Sequence, residues 1–140
     1  MEIKINIVTT DQDYRDCLYI RNKVFIEEQN INKKLEYDDK KVSAIYIVAK
    51  INLIAIGTAR YRSTKIGMKL ERFAVLKEYR GLGVGKSLVS FLIKILKSEK
   101  NLYLNSQKKV AGFYEKLGFK IRGDVFYEAK IPHYKMVLLS

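Results

Sequence analysis

The stretch RGLGVGKS, residues 80–87, constrains the fold more than any other part of this sequence. Three glycines fall within five residues, a β-rich run precedes them, and an apolar-faced helical pattern follows. In that order, the free N–H groups and the positive end of the helix dipole lie at the glycine turn. Arg80 and Lys86 flank the glycines with positive charge. The stretch therefore favours a pyrophosphate-binding loop over a ligand-free turn.

Two nucleotide-binding motifs fit this loop incompletely. A Walker A motif requires glycine where Arg80 stands, although Gly85, Lys86 and Ser87 match its end. A dinucleotide fingerprint requires glycine where Lys86 stands. The two preceding apolar runs, SAIYIVAK and IAIGTAR, end in basic residues, where a nucleotide hydrolase needs a carboxylate for magnesium. The sequence therefore argues against both of these protein classes.

Length and composition predict one soluble, cytoplasmic domain over residues 1–140. A chain of 140 residues is the size of one ordinary domain, and 48% hydrophobic residues can bury a core. No apolar run is long enough to span a bilayer, and no signal-like segment opens the chain, so no membrane association is expected. The single cysteine, Cys17, lies among the apolar positions of a predicted helix, which favours a buried structural thiol.

The net charge of +12 is unevenly distributed. Residues 77–109 contain eight basic and two acidic side chains, whereas residues 1–44 contain nine acidic and eight basic ones. Clustered lysines raise the alternative of a nucleic-acid-binding module, in which aromatic and basic residues interleave on a sheet or a recognition helix. Here the positive charge surrounds the glycine loop and the following helix, so nucleic acid is not the expected partner. The acidic stretch 27–39 suits a cationic substrate.

Hydrophobic periodicity predicts the element order β-α-β-β-β-α-β-α-β-β. Alternating apolar residues indicate strands, and spacing by three and four residues indicates helices, the first of which runs to about Gln29. Three consecutive β-rich runs predict an antiparallel meander before the glycine loop. The loop is followed by a helix, a strand, a helix closed by Gly118, and two strands. The expected fold class is α/β (α+β), with a mixed, mostly antiparallel central sheet flanked by helices.

A family resemblance fixes the register of the glycine loop. The segment YRGLGVGKSL matches the acyl-CoA loop pattern Arg/Gln-x-x-Gly-x-Gly/Ala of the GNAT superfamily, with Arg80, Gly83 and Gly85 at the specified positions. LERFAVL resembles the central strand of that family, and VAGFYEKLGF resembles its later helix and turn. RNKVFIEEQN and IPHYKM resemble a branch of small bacterial members with R-x-x-V-F-x-x-E-Q and I-P-H motifs. The resemblance covers almost the whole chain and implies a single-domain GNAT fold.

The resemblance also implies the donor, acetyl-CoA, and three segments that bind it. Backbone groups of the central strand would face the pantetheine arm and the thioester, and the glycine loop would hold the pyrophosphate. Asn105 would hydrogen-bond the pantetheine amides or a bound water, and no metal is expected. The implied CoA-binding residues are Phe73, Ala74, Val75, Arg80, Gly81, Leu82, Gly83, Val84, Gly85, Lys86, Ser87, Asn105, Phe113 and Tyr114.

Tyr114 is the implied general acid, because GNAT enzymes place a tyrosine near the CoA sulfur at this point of the FYEKLG segment. A phenol pKa of about 10 is close enough to a thiol pKa of about 8.5 for proton transfer to a departing thiolate. From spacing alone, a Phe-Tyr pair on a short amphipathic helix is more often core packing. Glu71 and His133 are the other catalytic candidates, since either could relay the amine proton directly or through water.

Candidate acceptor-binding residues come mainly from the first helix. Arg21, Phe25 and Glu28 recur at spacings of four and three, so they share one helical face and could project into the cleft. The alternative is an exposed helix flank with an intrahelical or intersegment ion pair. Asp38 and His133 are the remaining candidates for binding the amine.

The expected reaction is direct acetyl transfer to a primary amine of a small molecule, without a covalent enzyme intermediate. One expected acceptor class is an amino sugar phosphate such as glucosamine 6-phosphate, whose phosphate would meet Arg21, Arg60 or Arg62. Protein N-termini and lysines are left open as acceptors. A CoA-binding sensor or interaction protein without catalysis is the main alternative, and a homodimer is left open.

Overall fold

A computed structural model of the chain describes residues 2–139 and contains one mixed β-sheet. Within this range seven strands follow the spatial order β1-β2-β3-β4-β5-β7-β6. Every neighbouring pair is antiparallel except β4 and β5, which run parallel. The strands are β1 (Lys4–Ile7), β2 (Ile45–Ile51), β3 (Ile54–Ser63), β4 (Met68–Val75), β5 (Leu102–Gln107), β6 (Phe119–Glu128) and β7 (Ile131–Leu138).

The parallel strands β4 and β5 pair only at their beginnings. Met68 lies opposite Leu102 and Lys69 opposite Tyr103, and no later pair joins the two strands in the described part of the chain. On its other side β5 pairs with β7 as far as its last residue, with Gln107 opposite His133. The carboxyl ends of β4 and β5 therefore separate and leave a wedge-shaped opening in the middle of the sheet.

A β-bulge in β4 lies at this opening. Thr58 pairs with Ala74 and Arg60 pairs with Glu71, so the single residue Ala59 faces both Arg72 and Phe73. Arg72 has a φ of 59°, an uncommon conformation for a residue other than glycine. As a result the consecutive side chains of Glu71 and Arg72 both reach ion-pair partners in one network on the same side of the sheet.

Helices cover both faces of the sheet. On one face lie α1 (Asp11–Arg21), its π-helical continuation (Asn22–Glu28) and the short α2 (Lys33–Glu36). The N-cap Thr10 starts α1, since its hydroxyl accepts a hydrogen bond from the Asp13 N–H at 3.1 Å. The helices α3 (Val84–Ile95) and α4 (Ala111–Glu115) contribute to the main core, whereas α1 and its continuation form a second core with β4.

The element order, the meander and the mixed sheet confirm the expectations from periodicity. The helix expected to end near Gln29 ends at Glu28, but its last seven residues are π-helical. The polar connection after it contains α2, and the segment KKVAGFYEKLG divides into a 3₁₀ turn (Lys108–Val110) and α4. Across residues 2–139, no helix combines the length and the apolar character needed to cross a membrane.

Candidate active site

The glycine loop presents unpaired backbone donors. Gly81 and Gly83 have φ values of 82° and 85°, and α3 begins directly after them at Val84. The first helical hydrogen bond of α3 is donated by the Ser87 N–H to the Gly83 carbonyl at 3.0 Å. Within residues 2–139, the N–H groups of residues 84–86 find no backbone acceptor. Apart from the glycine and its two chain neighbours, no atom of residues 2–139 lies within 4 Å of the position a Cβ would take at either left-handed glycine, so the loop backbone is open to a ligand.

Arg80, at the start of the loop, forms an ion pair with Glu28 at the end of the π-helical segment. Its two terminal nitrogens donate to the Glu28 carboxylate at 2.5 and 2.7 Å, and its Nε donates to the Val75 carbonyl at 3.0 Å. The hydrogen bond from Arg80 lowers the pKa of Glu28, and the same bond raises the pKa of Arg80. The loop and the end of the π-helical segment are thus joined by a bidentate ion pair.

Tyr114 lies in an aromatic group beside the opening of the sheet. Its ring centroid is 5.8 Å from that of Phe73, 5.0 Å from Phe113 and 6.1 Å from Phe119. The side chain is 8% exposed, and its hydroxyl has no hydrogen-bond partner among the described residues. Burial raises the pKa of the Tyr114 phenol well above its ordinary value, so the group stays protonated at neutral pH. A neutral phenol still carries a proton to donate, although the raised pKa makes it a weaker acid than a free tyrosine and widens the gap to the pKa of a thiol.

The structure brings the donor candidates together. Phe73 of β4 contacts the Tyr114 ring, and the Phe113 ring lies 3.4 Å from where a Cβ of Gly85 would be. The end of β4, the start of α3 and α4 therefore meet at one place. Asn105, half-buried on β5, lies beyond the point where β4 and β5 part.

A cavity of about 260 Å³ lies at the carboxyl end of β5. Gln107 donates a hydrogen bond from its Nε2 to the Gln29 Oε1 at 2.8 Å, which ties β5 to the residue after the π-helical segment. Glu28, one of the candidates from the helix spacing, lines this cavity. The lining residues are Glu28, Gln29, Gln107, Lys109, Ile131 and Pro132.

His133 lies next to this cavity with a defined tautomer. Its Nδ1 is 2.7 Å from the Ile131 carbonyl, which can only accept, so Nδ1 carries the proton and a neutral ring leaves Nε2 as an acceptor. The ring stacks on Phe126 at 5.8 Å. His133 pairs with Gln107 across β5 and β7, which places the two side chains on the same face of the sheet. The geometry is compatible with His133 accepting a proton from an amine.

Arg21 is not brought to the cleft, which corrects the expectation from helix spacing. Its side chain is fully buried, with Nε 2.7 Å from Glu36 Oε1 and a terminal nitrogen 2.9 Å from Asp39 Oδ2. Periodicity identifies which face of a helix a residue lies on, but not how deeply other elements bury that residue. Here α2 covers Arg21. Phe25 is likewise buried, in the second core. Arg21 thus makes an intersegment ion pair, as in the alternative interpretation, but on a buried face of the helix and not on an exposed one.

Glu71 and Asp38 belong to the same buried network. Arg60, fully buried, donates to Glu71 at 2.7 Å and to Asp38 at 2.9 Å. Burial alone would raise the pKa of Glu71, but hydrogen bonding by Arg62 and the nearby positive charges lower it to about 2. A carboxylate that stays ionised and fully paired is a poor proton relay. The structure thus gives no support to Glu71 as a base or to Arg60 as a phosphate ligand.

Several cavity residues have no signal in the sequence. Gln29 follows the π-helical segment, Gln107 is the last residue of β5 and Lys109 lies in the 3₁₀ turn after it, and their side-chain types are common on any surface. Ile131 and Pro132 begin β7, within the I-P-H motif, but only His133 of that motif was interpreted chemically. Their convergence depends on the pairing of β5 with β7, which a single sequence does not specify.

Comparison with known protein families identifies the class. The family model of the acetyltransferase (GNAT) domain matches residues 10–140. The chain therefore belongs to the GNAT acetyltransferase family, and it is an acyltransferase.

Relatives from Bacillus subtilis (strain 168) match along nearly their full length. The chain is 39% identical to the uncharacterized protein YyaT over 140 residues, covering 96% of this chain and 94% of YyaT. It is 31% identical to the uncharacterized N-acetyltransferase YjcF, covering 96% of this chain and 99% of YjcF. The likeness therefore concerns the whole domain.

Solved structures share the fold at low sequence identity. Escherichia coli ElaA superposes with a TM-score of 0.86 at 23% identity and covers 99% of this chain and 100% of its own. The PaiA N-acetyltransferase from Thermoplasma acidophilum, solved in complex with coenzyme A, gives a TM-score of 0.73 at 16% identity, with 99% of each chain covered.

Proposed function

We propose that this chain is an acetyl-CoA-dependent N-acetyltransferase that transfers an acetyl group directly to a primary amine of a small molecule. The observation that carries the proposal is the glycine loop, whose unpaired N–H groups lie beside an unpartnered phenol and the opened strand β4. The complex of the Thermoplasma protein with coenzyme A supports the choice of donor.

The residues of the loop fit a CoA pyrophosphate. The N–H groups of residues 84–86 and the exposed ammonium of Lys86 offer donors and positive charge, and the left-handed glycines leave the backbone uncovered. Residues 73–75, Asn105 and Phe113 would hold the pantetheine arm. When bound, acetyl-CoA would supply the activated acetyl thioester.

Two groups of the chain would serve the transfer itself. Along the end of β4, alternate N–H groups point away from β3, toward the side where β5 has separated, and could stabilise an oxyanion. The Tyr114 hydroxyl would donate its proton to the departing thiolate. Both groups lie next to Phe73, so the acid and the oxyanion donors occupy the same part of the site.

The acceptor would bind in the cavity at the end of β5. Glu28 lines this cavity with a carboxylate that is already paired with Arg80, so an ammonium group would have to share it. The Nε2 of His133 suits removal of the amine proton, directly or through water. An amino sugar phosphate such as glucosamine 6-phosphate stays one candidate acceptor. Its phosphate would meet Lys109, which lines the cavity, because Arg21 and Arg60 are buried in ion pairs.

Thiol release from acetyl-CoA across a panel of amines, amino sugars, polyamines and peptides tests the proposal. An active acceptor should raise thiol release well above the rate without amine, and calorimetry should show that CoA binds. If CoA binds but no acceptor raises thiol release, the result favours the alternative of a CoA-binding sensor without catalysis. Failure to bind CoA, with salt-dependent binding to DNA or RNA, would replace the proposal by the nucleic-acid-binding alternative.

A further inference from the structure

Arg80 physically connects the donor loop to the acceptor cavity. It is the residue before Gly81, and its guanidinium holds Glu28, which lines the cavity of about 260 Å³. Glu28 also lines a second cavity of about 330 Å³ with residues that include Val24 and Leu76. Glu28 is therefore common to the walls of both cavities, and Arg80 connects it to the loop.

The side chain of Arg80 has little capacity left for a phosphate. Three of its five N–H donors are used, two by the Glu28 carboxylate and one by the Val75 carbonyl. A two-point contact between a planar guanidinium and a carboxylate fixes the orientation of both groups. Lys86, the other cation of the loop, is exposed and has no ion-pair partner within residues 2–139. Arg80 is thus placed to hold Glu28, whereas Lys86 is placed to meet a phosphate.

The connection continues from Glu28 into the cavity. The N–H groups of Gln29, Asn30 and Ile31 donate to carbonyls of Val24, Ile26 and Phe25, at 3.2, 3.1 and 2.8 Å. The side chain of Gln29 then accepts the hydrogen bond from Gln107. Residues 24–31 therefore form one hydrogen-bonded segment between Arg80 and β5, and ordering the loop should also order this wall of the cavity.

We propose that Arg80 is a positioning residue that couples donor binding to the formation of the acceptor cavity, and that it is not a phosphate ligand. The proposal rests on the proposed function, since it takes CoA as the ligand of the loop. CoA bound at the loop N–H groups restricts the loop, Arg80 carries that restriction to Glu28, and the cavity becomes ordered before the acceptor arrives.

Hydrogen–deuterium exchange with CoA as the probe tests the coupling without a known acceptor. In the unmodified protein, saturating CoA should slow exchange of the amides in residues 26–31 by about fivefold or more. Arg80→Gln and Glu28→Gln should each abolish this slowing. Exchanging the two charges, with Glu28→Arg and Arg80→Glu in one chain, should restore part of it, which a purely structural role would not predict.

Calorimetry on the same variants separates positioning from phosphate binding. Arg80→Gln should leave the dissociation constant of CoA within about twofold, whereas Lys86→Gln should raise it about tenfold. Circular dichroism checks folding, and Glu28→Gln probes the same ion pair with the loop sequence intact. A loss of CoA affinity in Arg80→Gln as large as in Lys86→Gln overturns the proposal, as does CoA binding without protection of residues 26–31. Failure of CoA to bind the unmodified protein instead removes the proposed function itself.

Discussion

Burial keeps the Tyr114 phenol protonated, and the role of its hydroxyl can be separated from the packing of its ring. The ring packs against three other aromatic rings, and the hydroxyl has no partner in the described part of the chain. Replacement by phenylalanine retains the ring and removes only an unpaired polar group, which costs the fold little.

Tyr114→Phe should therefore lower kcat for acetyl transfer by about 100-fold or more, the usual scale of general acid catalysis. The dissociation constant of CoA and the melting temperature should stay close to those of the unmodified protein. Steady-state kinetics, calorimetry and thermal unfolding measure the three quantities. Normal turnover of Tyr114→Phe would refute the assignment of the acid while leaving the acyltransferase intact.

Cys17, at the residue scale, should be chemically silent in the folded protein. The side chain is fully buried, and burial raises the pKa of its thiol to about 11. Because the thiolate is the reactive form, a thiol-specific reagent at neutral pH should leave Cys17 almost unmodified until guanidinium unfolds the protein. Rapid labelling of the native chain would contradict this placement. The same reagent can then follow thiol release from acetyl-CoA without interference from the protein.

Among the structural elements, the glycine loop is most sensitive to a small change in backbone freedom. Gly83→Ala forces a Cβ into the left-handed region, at a cost of about 1–2 kcal/mol, without creating a contact. The strained loop should bind CoA about tenfold more weakly. Calorimetry of the variant tests this expectation.

Gly112→Ala is the matched control for the loop. Gly112 lies in α4 without a positive φ, and no atom lies within 4 Å of the position its Cβ would take. Alanine there should raise the free energy of unfolding by about 0.5–1 kcal/mol and leave CoA affinity unchanged. Equal CoA affinity in Gly83→Ala and the unmodified protein would show that the loop conformation does not determine donor binding.

The ion-pair network that joins α2 to the sheet should control stability in acid. The pKa of Glu71 in the folded protein is about 2, against 4.5 for the free side chain. A lowered pKa contributes stability above the unfolded value, and this contribution is lost as the pH falls from about 4.5 toward 2. The shift corresponds to roughly 3 kcal/mol.

Glu71→Gln should accordingly lower the free energy of unfolding at pH 7 by about 3 kcal/mol and flatten its decline below about pH 5. Chemical denaturation at a series of pH values gives both quantities. Glu99→Gln, at an exposed position without an ion pair among the described residues, should change stability by less than about 0.5 kcal/mol. Equal effects of the two substitutions would show that the buried pairs contribute nothing specific.

At the scale of the whole molecule, the order of elements and the donor loop could be predicted from the sequence because their determinants are local. Alternation in β2 to β4 and the spacing of apolar residues in α3 reflect the burial of one face. The glycine loop is recognisable by its composition, and the GNAT resemblance fixed its register. The switch to π-helix after Arg21 and the shortness of α4 depend on tertiary contacts and could not be predicted.

The acceptor side depends on long-range pairing, and there prediction from the sequence was weaker. Glu28 and His133 were identified as candidates, and the structure places both at or beside the cavity. Arg21 has the same helical spacing as Glu28, yet α2 buries it. The glutamine contact between β5 and the π-helical segment joins residues 78 positions apart, a distance over which residue type alone carries no information.

Following the acetyl group through one reaction tests the central claim most directly. The protein is incubated with acetyl-CoA and an amine that promotes thiol release, and mass spectrometry is applied to the amine and to the protein in the same sample. The proposed function predicts one acetylated amine for each thiol released, with no acetyl group left on the protein. Thiol release without an acetylated amine, or no release with any amine of the panel, would contradict it.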